Sequence, residues 1–186
     1  MKYYDSRTDA ELGSELAAGA VGVLLTDTIY GIVASAHRPE AVKRLYEIRG
    51  RDASKACILL IANVDQLLGP PPSKIMSRLN KYWPGPVSIV LPAGPAAPPW
   101  VPQFEQTIAY RLPADAELVR LLERTGPLLA PSANPQGERP AYSIAEAEAY
   151  FGDAVDFYVD SGQVGEHIQP SKLIKIDTDG TVVHLR

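Results

Sequence analysis

The order of apolar and polar positions along the chain predicts short buried strands that alternate with amphipathic helices. Nearly continuous apolar runs, typical of strands buried on both faces, occur at 21–25, 57–62 and 87–91. Apolar residues at helical spacing mark 39–50 and 115–124. The predicted strands are 21–25, 30–36 (a strand or an extended loop), 57–62, 87–91, 107–112, 128–130, 155–159, 173–176 and 182–185.

Capping patterns locate the ends of several helices. Thr8 and Ser143 are each followed three residues later by a glutamate, and this capping-box spacing predicts a helix after each. Gly19 is a natural end for the first helix, because glycine readily adopts the left-handed conformation found there. The other predicted helices are 39–50, 65–68, 73–83 (capped by Ser73), 115–124 and 143–151.

The order of these elements predicts an α/β fold with a twisted mixed β-sheet flanked by helices. Strands and helices alternate early in the chain, whereas Asp179-Gly180 is typical of a hairpin turn near its end. The proline-rich stretch 92–102 is expected to be a surface loop, because strand signals resume soon after it. A chain of 186 residues suits a single domain, 1–186.

Composition narrows the class of protein. Apolar residues make up 46% of the chain and charged residues 22%, as in ordinary globular proteins. The net charge of −4 counts against a general nucleic-acid binder but allows a local basic cleft. The single cysteine, Cys57, excludes an internal disulfide and is expected in the core, and three scattered histidines offer no zinc spacing. With no apolar leader and no run of about 20 apolar residues, we expect a cytoplasmic protein that does not enter membranes.

The first predicted strand runs directly into the polar stretch from Thr26 to Gly31. In open α/β sheets, ligands bind in crevices outside the carboxyl ends of strands. Thr26 and Thr28 are two residues apart, so an extended backbone would place both hydroxyls on one face. An ordinary turn with hydroxyl groups explains the same pattern, and Tyr30 is as well suited to packing as to binding.

Two further stretches of the chain, and Arg111, carry cationic or polar side chains that would suit an anionic ligand. Arg49, Arg51 and Lys55 lie within seven residues at the end of a predicted helix, where they would bind phosphate or simply remain solvated. Ser132 and Asn134 follow a short strand and would share one face of an extended segment, or form a local turn. Arg111, at a strand end, would bind a carboxylate or form a surface ion pair. The sequence contains no Walker-type loop, dinucleotide fingerprint or hydrolase nucleophile motif.

Taken together, these blocks resemble the YrdC/TsaC family of threonylcarbamoyl-AMP synthases, in the short single-domain bacterial form. The stretch from Thr26 to Gly31 is similar to the family's P-T-[DE]-T-[VI]-Y-G-L block, and Arg49-Gly50-Arg51 to its Lys-x-Arg element, with Lys55 following as expected. Further matches are Trp83-Pro84-Gly85-Pro86 to W-P-G-P, Thr107 to Pro113 to T-[VI]-[AG]-x-R-x-P, and Ala130 to Asn134 to A-P-S-A-N. The blocks cover nearly the whole chain in the family's order.

The chain departs from the family pattern at a few positions. Leu25 replaces the leading proline, and Arg49 replaces a lysine, which keeps the charge but changes the head group. Near the end, Ser171 is retained while Lys172 replaces the family threonine. Arg186 stands where the family often has a late arginine, but as the last residue it is free to be mobile.

The resemblance implies a reaction in which L-threonine, bicarbonate and ATP give threonylcarbamoyl-AMP and pyrophosphate for the t6A modification of tRNA adenosine 37. It implies that Arg51 and Lys55 act on the phosphates as catalytic residues, with Mg²⁺ accompanying ATP and no protein metal site. The nucleotide-binding set is then Arg49, Arg51, Lys55, Ser132, Asn134 and Arg186. The L-threonine set is Thr26, Thr28, Tyr30, Arg111 and Ser171.

Two other functions remain open at this level. The same cationic cleft would serve a module that binds double-stranded RNA or tRNA, although the acidic net charge counts against that as the main activity. A paralogue with the same fold would act on another carboxylated substrate. The implied partners are the small-molecule substrates, with tRNA or double-stranded RNA and the threonylcarbamoyl-transferase complex as further candidates.

Overall fold

The computed structural model describes residues 1–52, 57–69, 71–95, 97–165 and 167–186. Within those residues, ten strands join in one sheet in the order β1-β8-β2-β3-β7-β4-β6-β5-β9-β10. The strands are β1 (Lys2–Tyr4), β2 (Gly22–Leu25), β3 (Tyr30–Ser35), β4 (Ile58–Leu60), β5 (Val87–Pro92), β6 (Thr107–Arg111), β7 (Leu128–Leu129), β8 (Phe157–Val159), β9 (Lys172–Ile176) and β10 (Val182–His184).

The sheet contains both parallel and antiparallel strand pairs. β8 pairs in parallel with β1 and β2, β4 with β6, and β5 with β9. β3 is antiparallel to β2 and β7, β7 to β4, β5 to β6, and β9 to β10. The mixed sheet expected from the order of elements is therefore confirmed.

Helices pack on both faces of the sheet. They are α1 (Ala10–Ala18), α2 (Pro39–Ile48), α3 (Ser73–Leu79), α4 (Ala116–Thr125) and α5 (Ile144–Phe151). Residues of α1 and α4, such as Leu12 and Leu118, share one apolar cluster with Leu24 and Leu60 of the sheet. Residues of α2, α3 and α5 belong to the larger cluster on the other face. The predicted α/β class with flanking helices is thus confirmed.

Several local predictions need correction. Asp9, not Thr8, caps α1, because its carboxylate accepts hydrogen bonds from the Glu11 and Leu12 amides. Pro72 precedes α3, so Ser73 is its first residue, not its cap, and the helix ends at Leu79, well before Trp83. The short helix expected at 65–68 is a 3₁₀ turn, Val64–Gln66. β1 was not predicted, since three residues carry too little periodicity to identify a strand.

Alternation along the strands leaves one sheet face available for a site. Ile89, Ile108 and Ile174 point into the larger core. Their strand neighbours point the opposite way, because successive side chains in a strand lie on opposite faces. Those neighbours, which include Val90, Ala109 and Leu173, line a cavity. None of the helices in the described parts of the chain is long and apolar enough to span a membrane.

Candidate active site

A cavity of about 690 Å³ lies on this sheet face, a volume typical of small-molecule sites. It collects side chains from the ends of several strands and from the loops that follow them. The predicted site residues that line it are Thr26, Thr28, Tyr30, Arg49, Arg51, Arg111, Ser132, Ser171 and Arg186. Lys55 lies outside the described residues.

The loop between β2 and β3 presents two threonine hydroxyls to the cavity. The Thr26 hydroxyl donates to the Ile29 carbonyl at 2.8 Å, which closes the loop. The Thr28 hydroxyl lies 3.2 Å from that of Thr26, and both side chains are buried. The spacing of two residues therefore does place both hydroxyls together, although the backbone between them turns.

Arg111, at the end of β6, is buried beneath this loop. Its Nη2 lies 3.0 Å from Oδ1 of Asp27, and its Nη1 donates to the Thr28 hydroxyl at 3.2 Å. Burial raises the pKa of Asp27 despite the nearby positive charge of Arg111. The chain thus supplies Arg111 with an internal carboxylate, a contact the sequence did not reveal. Asp27 itself does not line the cavity, so it holds Arg111 from behind.

Arg49 follows the last turn of α2 and is only 3% exposed. Its Nε donates to the backbone carbonyl of Asn134 at 2.8 Å, and its Nη2 approaches the Asn134 side-chain oxygen at 3.4 Å. Burial lowers the pKa of Arg49. Within the described residues, its Nη1 is buried and has no hydrogen-bond partner. A buried guanidinium with a spare donor at a cavity wall is well suited to an anionic ligand.

Ser132 and Asn134 have different roles, contrary to the expectation that they share one face. Ser132 lines the cavity, whereas Asn134 is 6% exposed and does not. The Asn134 side-chain nitrogen donates to the carbonyls of Pro135 and Glu138, at 2.9 and 2.8 Å. Its amide therefore holds the loop and supports Arg49, and is not directed at a ligand.

Arg51 reaches the cavity from the segment after α2. Its backbone amide donates to the Tyr46 carbonyl at 3.0 Å, which fixes the chain just beyond the helix. Arg51 and Arg49 both line the cavity. Cys57 lies close by, is buried as predicted, and accepts a hydrogen bond from the Tyr46 hydroxyl at 2.9 Å. Burial raises the pKa of the Cys57 thiol.

Ser171 and Arg186 form the opposite wall. The Ser171 hydroxyl is buried and lies 2.8 Å from that of Ser88. Arg186 is held in place: its backbone amide donates to the Leu173 carbonyl at 3.1 Å, and its Nη2 donates to the Ser171 carbonyl at 3.3 Å. These two hydrogen bonds place the last residue against the cavity wall. Lys172 is exposed and lies outside the cavity lining.

Tyr30 joins the cavity to a distant loop. Its hydroxyl donates to the Gly162 carbonyl at 2.7 Å and accepts from the Ser161 amide at 3.1 Å. Burial raises the pKa of Tyr30. The ring packs in the larger core, as one of the two alternatives predicted, and it also lines the cavity.

Sequence reasoning missed Asp27, Phe104 and Lys175. Asp27 lies inside the Thr26 to Gly31 block, so only its burial would have distinguished it. Phe104 and Lys175 line the cavity, but no spacing pattern marks either of them. Lys175 also pairs with Asp177 at 2.9 Å.

The fold and the cavity define a class: a mixed-sheet α/β protein with an arginine-lined site large enough for a nucleotide. The family model described as "Telomere recombination", which covers Sua5, YciO and YrdC proteins, matches residues 14–186. The threonylcarbamoyl-AMP synthase of Marinobacter nauticus is 38% identical over 167 residues, which are 87% of each chain. The Bacillus subtilis synthase is 34% identical over 88% of this chain but only 49% of its own length.

Solved structures show the same relationship. P. abyssi Sua5 in complex with L-threonine superposes with a TM-score of 0.87 at 27% identity, covering 100% of this chain and 57% of that one. E. coli YciO has a TM-score of 0.82 at 22% identity, covering 100% and 92%, and shares the fold. This chain belongs to the Sua5/YciO/YrdC family, which confirms the resemblance derived from its motifs.

Proposed function

We propose that this chain is a threonylcarbamoyl-AMP synthase, a nucleotidyltransferase that acts on L-threonine, bicarbonate and ATP. The observation that carries the proposal is a single cavity shared by three arginines suited to phosphates and by the Thr28–Arg111 contact, which suits an amino acid. The names of the similar bacterial synthases support the same activity.

The chemistry requires positioning rather than a protein nucleophile. The threonine amine and bicarbonate condense to a carbamate with loss of water. A carbamate oxygen then attacks the α-phosphorus of ATP, a new P–O bond forms, and the bond to the β-phosphate breaks to release pyrophosphate. In such transfers, the protein holds the reactants in line and stabilises the charge on the phosphates.

We assign the phosphates to Arg51 and Lys55, with Arg49 in support. Arg49 is fixed by Asn134 and keeps one buried donor, so it offers a preorganised N–H group at no further ordering cost. Ser132 lines the same cavity and would contact the nucleotide directly, whereas Asn134 would act through Arg49. Arg186 contributes a third guanidinium from the opposite wall.

We assign the L-threonine subsite to Thr26, Thr28, Tyr30, Arg111 and Ser171. A guanidinium has five N–H donors, so the ion pair with Asp27 leaves Arg111 donors for a second carboxylate. The neighbouring Thr28 hydroxyl would then contact the same carboxylate or the substrate hydroxyl.

Mg²⁺ would accompany ATP through phosphate oxygens and water. Among the described residues that line the cavity, Glu105 is the one carboxylate. The described ranges also hold no cluster of three or more His, Cys, Asp or Glu side chains that would bind a metal. This donor set fits an ion carried by the substrate, since Mg²⁺ commonly retains water and phosphate ligands.

The product would supply the t6A modification of tRNA adenosine 37. Its acyl-phosphate link is labile, so we propose transfer to the threonylcarbamoyl-transferase complex in the cytoplasm. Direct binding of tRNA or double-stranded RNA, without ATP consumption, would instead favour an RNA-binding module. Pyrophosphate release with a different carboxylated substrate would favour a paralogue.

The test is pyrophosphate release measured with each substrate omitted in turn. We expect release to depend on both L-threonine and bicarbonate, and to fall at least 100-fold in Arg51→Ala. Arg120→Ala removes an exposed arginine of α4 outside the cavity lining and should retain wild-type activity. Release that does not respond to L-threonine would refute the synthase, and an active Arg51→Ala would refute the assigned site.

A further inference from the structure

Phe104 is an exposed aromatic residue at the cavity. Its side chain is 57% exposed, yet it lines the cavity together with Thr107 and the arginines. A phenylalanine exposed at the lining of a cavity offers a flat apolar surface, and a ligand that covers it would gain the favourable free energy of its burial.

The backbone that carries Phe104 is held in an unusual conformation. Glu105 and Gln106 both have positive φ, 48° and 58°, where glycine or asparagine is the usual choice. Phe104 and Thr107 exchange backbone hydrogen bonds of 3.1 and 2.8 Å, and the Thr107 hydroxyl donates to the Phe104 carbonyl at 2.6 Å. Strained backbone held so firmly is concentrated at functional sites, and here it fixes the position of the ring.

The surroundings of Phe104 match the two halves of a nucleotide. Thr107 begins β6, and the next residue facing the cavity is Ala109, which pairs with Val90 of β5. With Leu173 and Leu185, these residues give this part of the lining apolar surface, and Lys175 and Arg186 add cations beside it. Arg49 and Arg51 form a second cationic section. A purine base requires an apolar flat surface and its phosphates require cations, whereas L-threonine has no flat face.

We propose that the Phe104 ring is the stacking surface for the adenine base of ATP, and that the strained turn preorganises it. The proposal rests on the proposed function in that it takes ATP as the nucleotide. Stacking would hold the base at the mouth of the cavity, so the triphosphate extends towards Arg49 and Arg51. Phe104 is thus a positioning residue for the α-phosphate and contributes to selection of a nucleotide over inorganic phosphates.

Calorimetric titration of α,β-methylene-ATP and of inorganic triphosphate separates the two halves of the ligand. Alanine replacement of a base-stacking aromatic costs about 1–3 kcal/mol, so Phe104→Ala should bind the ATP analogue about 5- to 150-fold more weakly. Its affinity for triphosphate should be unchanged. Phe104→Tyr should bind the analogue within about threefold of the wild-type affinity. Phe104→Leu keeps an apolar side chain without a π-face, so its affinity for the analogue should lie between those of Phe104→Tyr and Phe104→Ala.

Tyr3→Ala is the matched control, because Tyr3 is 56% exposed but stacks on Tyr158 away from the cavity. Equal analogue affinity in wild type and Phe104→Ala, or equal losses for the analogue and triphosphate, would overturn the proposal, as would a wild type that binds no ATP analogue. These outcomes do not depend on turnover. A wild type that binds the analogue but releases no threonine-dependent pyrophosphate refutes the synthase alone.

Discussion

Asp27 and Arg111 form a buried ion pair of 3.0 Å that joins the loop after β2 to the end of β6. Their side chains are 8% and 4% exposed, and 84 positions separate them in the sequence. Because Arg111 lines the cavity and also donates to Thr28, Asp27 fixes one end of the candidate site from outside the cavity lining. Removing either charge would leave the other buried without its partner.

Asp27→Asn should therefore destabilise the fold and weaken threonine binding together. Loss of one partner of a buried ion pair typically costs about 3–5 kcal/mol of unfolding free energy. We expect a fall of that order in denaturant unfolding, and an approximately tenfold increase in KM for L-threonine with little change for ATP. Glu47→Gln is the control, since its exposed pair with Lys43 is 3.9 Å long and should contribute less than about 1 kcal/mol. Wild-type stability in Asp27→Asn would contradict this interpretation.

Alanine substitutions of Ser132 and Asn134 should have different effects on ATP kinetics and on stability. Ser132→Ala removes a hydroxyl from the cavity wall and should raise the KM for ATP without changing Tm. Asn134→Ala removes two hydrogen bonds to its own loop and the contact with Arg49, so we expect a loss of about 1–3 kcal/mol in stability. Thermal melts and ATP kinetics measured on both variants test whether Ser132 affects mainly ATP binding and Asn134 mainly stability. Equal Tm values for the two variants would count against it.

Tyr30→Phe tests whether the link to residues 161 and 162 matters for stability. The change deletes only the hydroxyl that donates to the Gly162 carbonyl and accepts from the Ser161 amide. We expect a loss of about 1–3 kcal/mol in chemical denaturation, since two hydrogen bonds are removed. Tyr82→Phe, in a partly buried residue outside the cavity lining, serves as comparison and should change stability by less than about 1 kcal/mol.

Asp115 should contribute stability that depends on pH. Burial alone would raise its pKa, but hydrogen bonds from the Leu118 and Glu117 amides and the charge of Arg7 hold the pKa below its ordinary value. A carboxylate with a lowered folded-state pKa stabilises above its unfolded pKa, and this stability is lost as pH falls through the folded value.

Asp115→Asn keeps a good helix cap but removes the ionisation and the ion pair with Arg7. The stability advantage of wild type over this variant should therefore shrink as the pH falls below about 5, through the ordinary aspartate pKa of about 3.9 and on towards the lower folded value. Urea unfolding at several pH values measures this difference in unfolding free energy. A constant difference across that range would show that Asp115 acts only through its cap.

Most elements could be predicted because their signals are local. Buried strands such as β2 and β5 read as apolar runs, and the carboxylate that caps α4 and the glycine that ends α1 occur where helix ends need them. The exact ends of helices are less well defined by sequence. Thr8 and Asp9 both suit the N-cap of α1, and only the observed hydrogen bonds identify Asp9 as the cap. β1 is stabilised by its pairing with β8, which is a contact distant in sequence.

The sequence alone determined the fold class, the family and nine of the residues that line the cavity, because the blocks that carry most of them are contiguous. The tertiary structure alone decided which way those residues point and what holds them. Ser132 and Asn134 would share a face only in an extended segment, but the Asn134 backbone amide donates to the Ser132 carbonyl at 3.0 Å, and beyond this turn the Asn134 side chain lies outside the cavity lining. Asp27 meets Arg111, and Phe104 reaches the cavity, only because sheet pairing and strained turns bring distant segments together. A one-dimensional pattern does not contain that information.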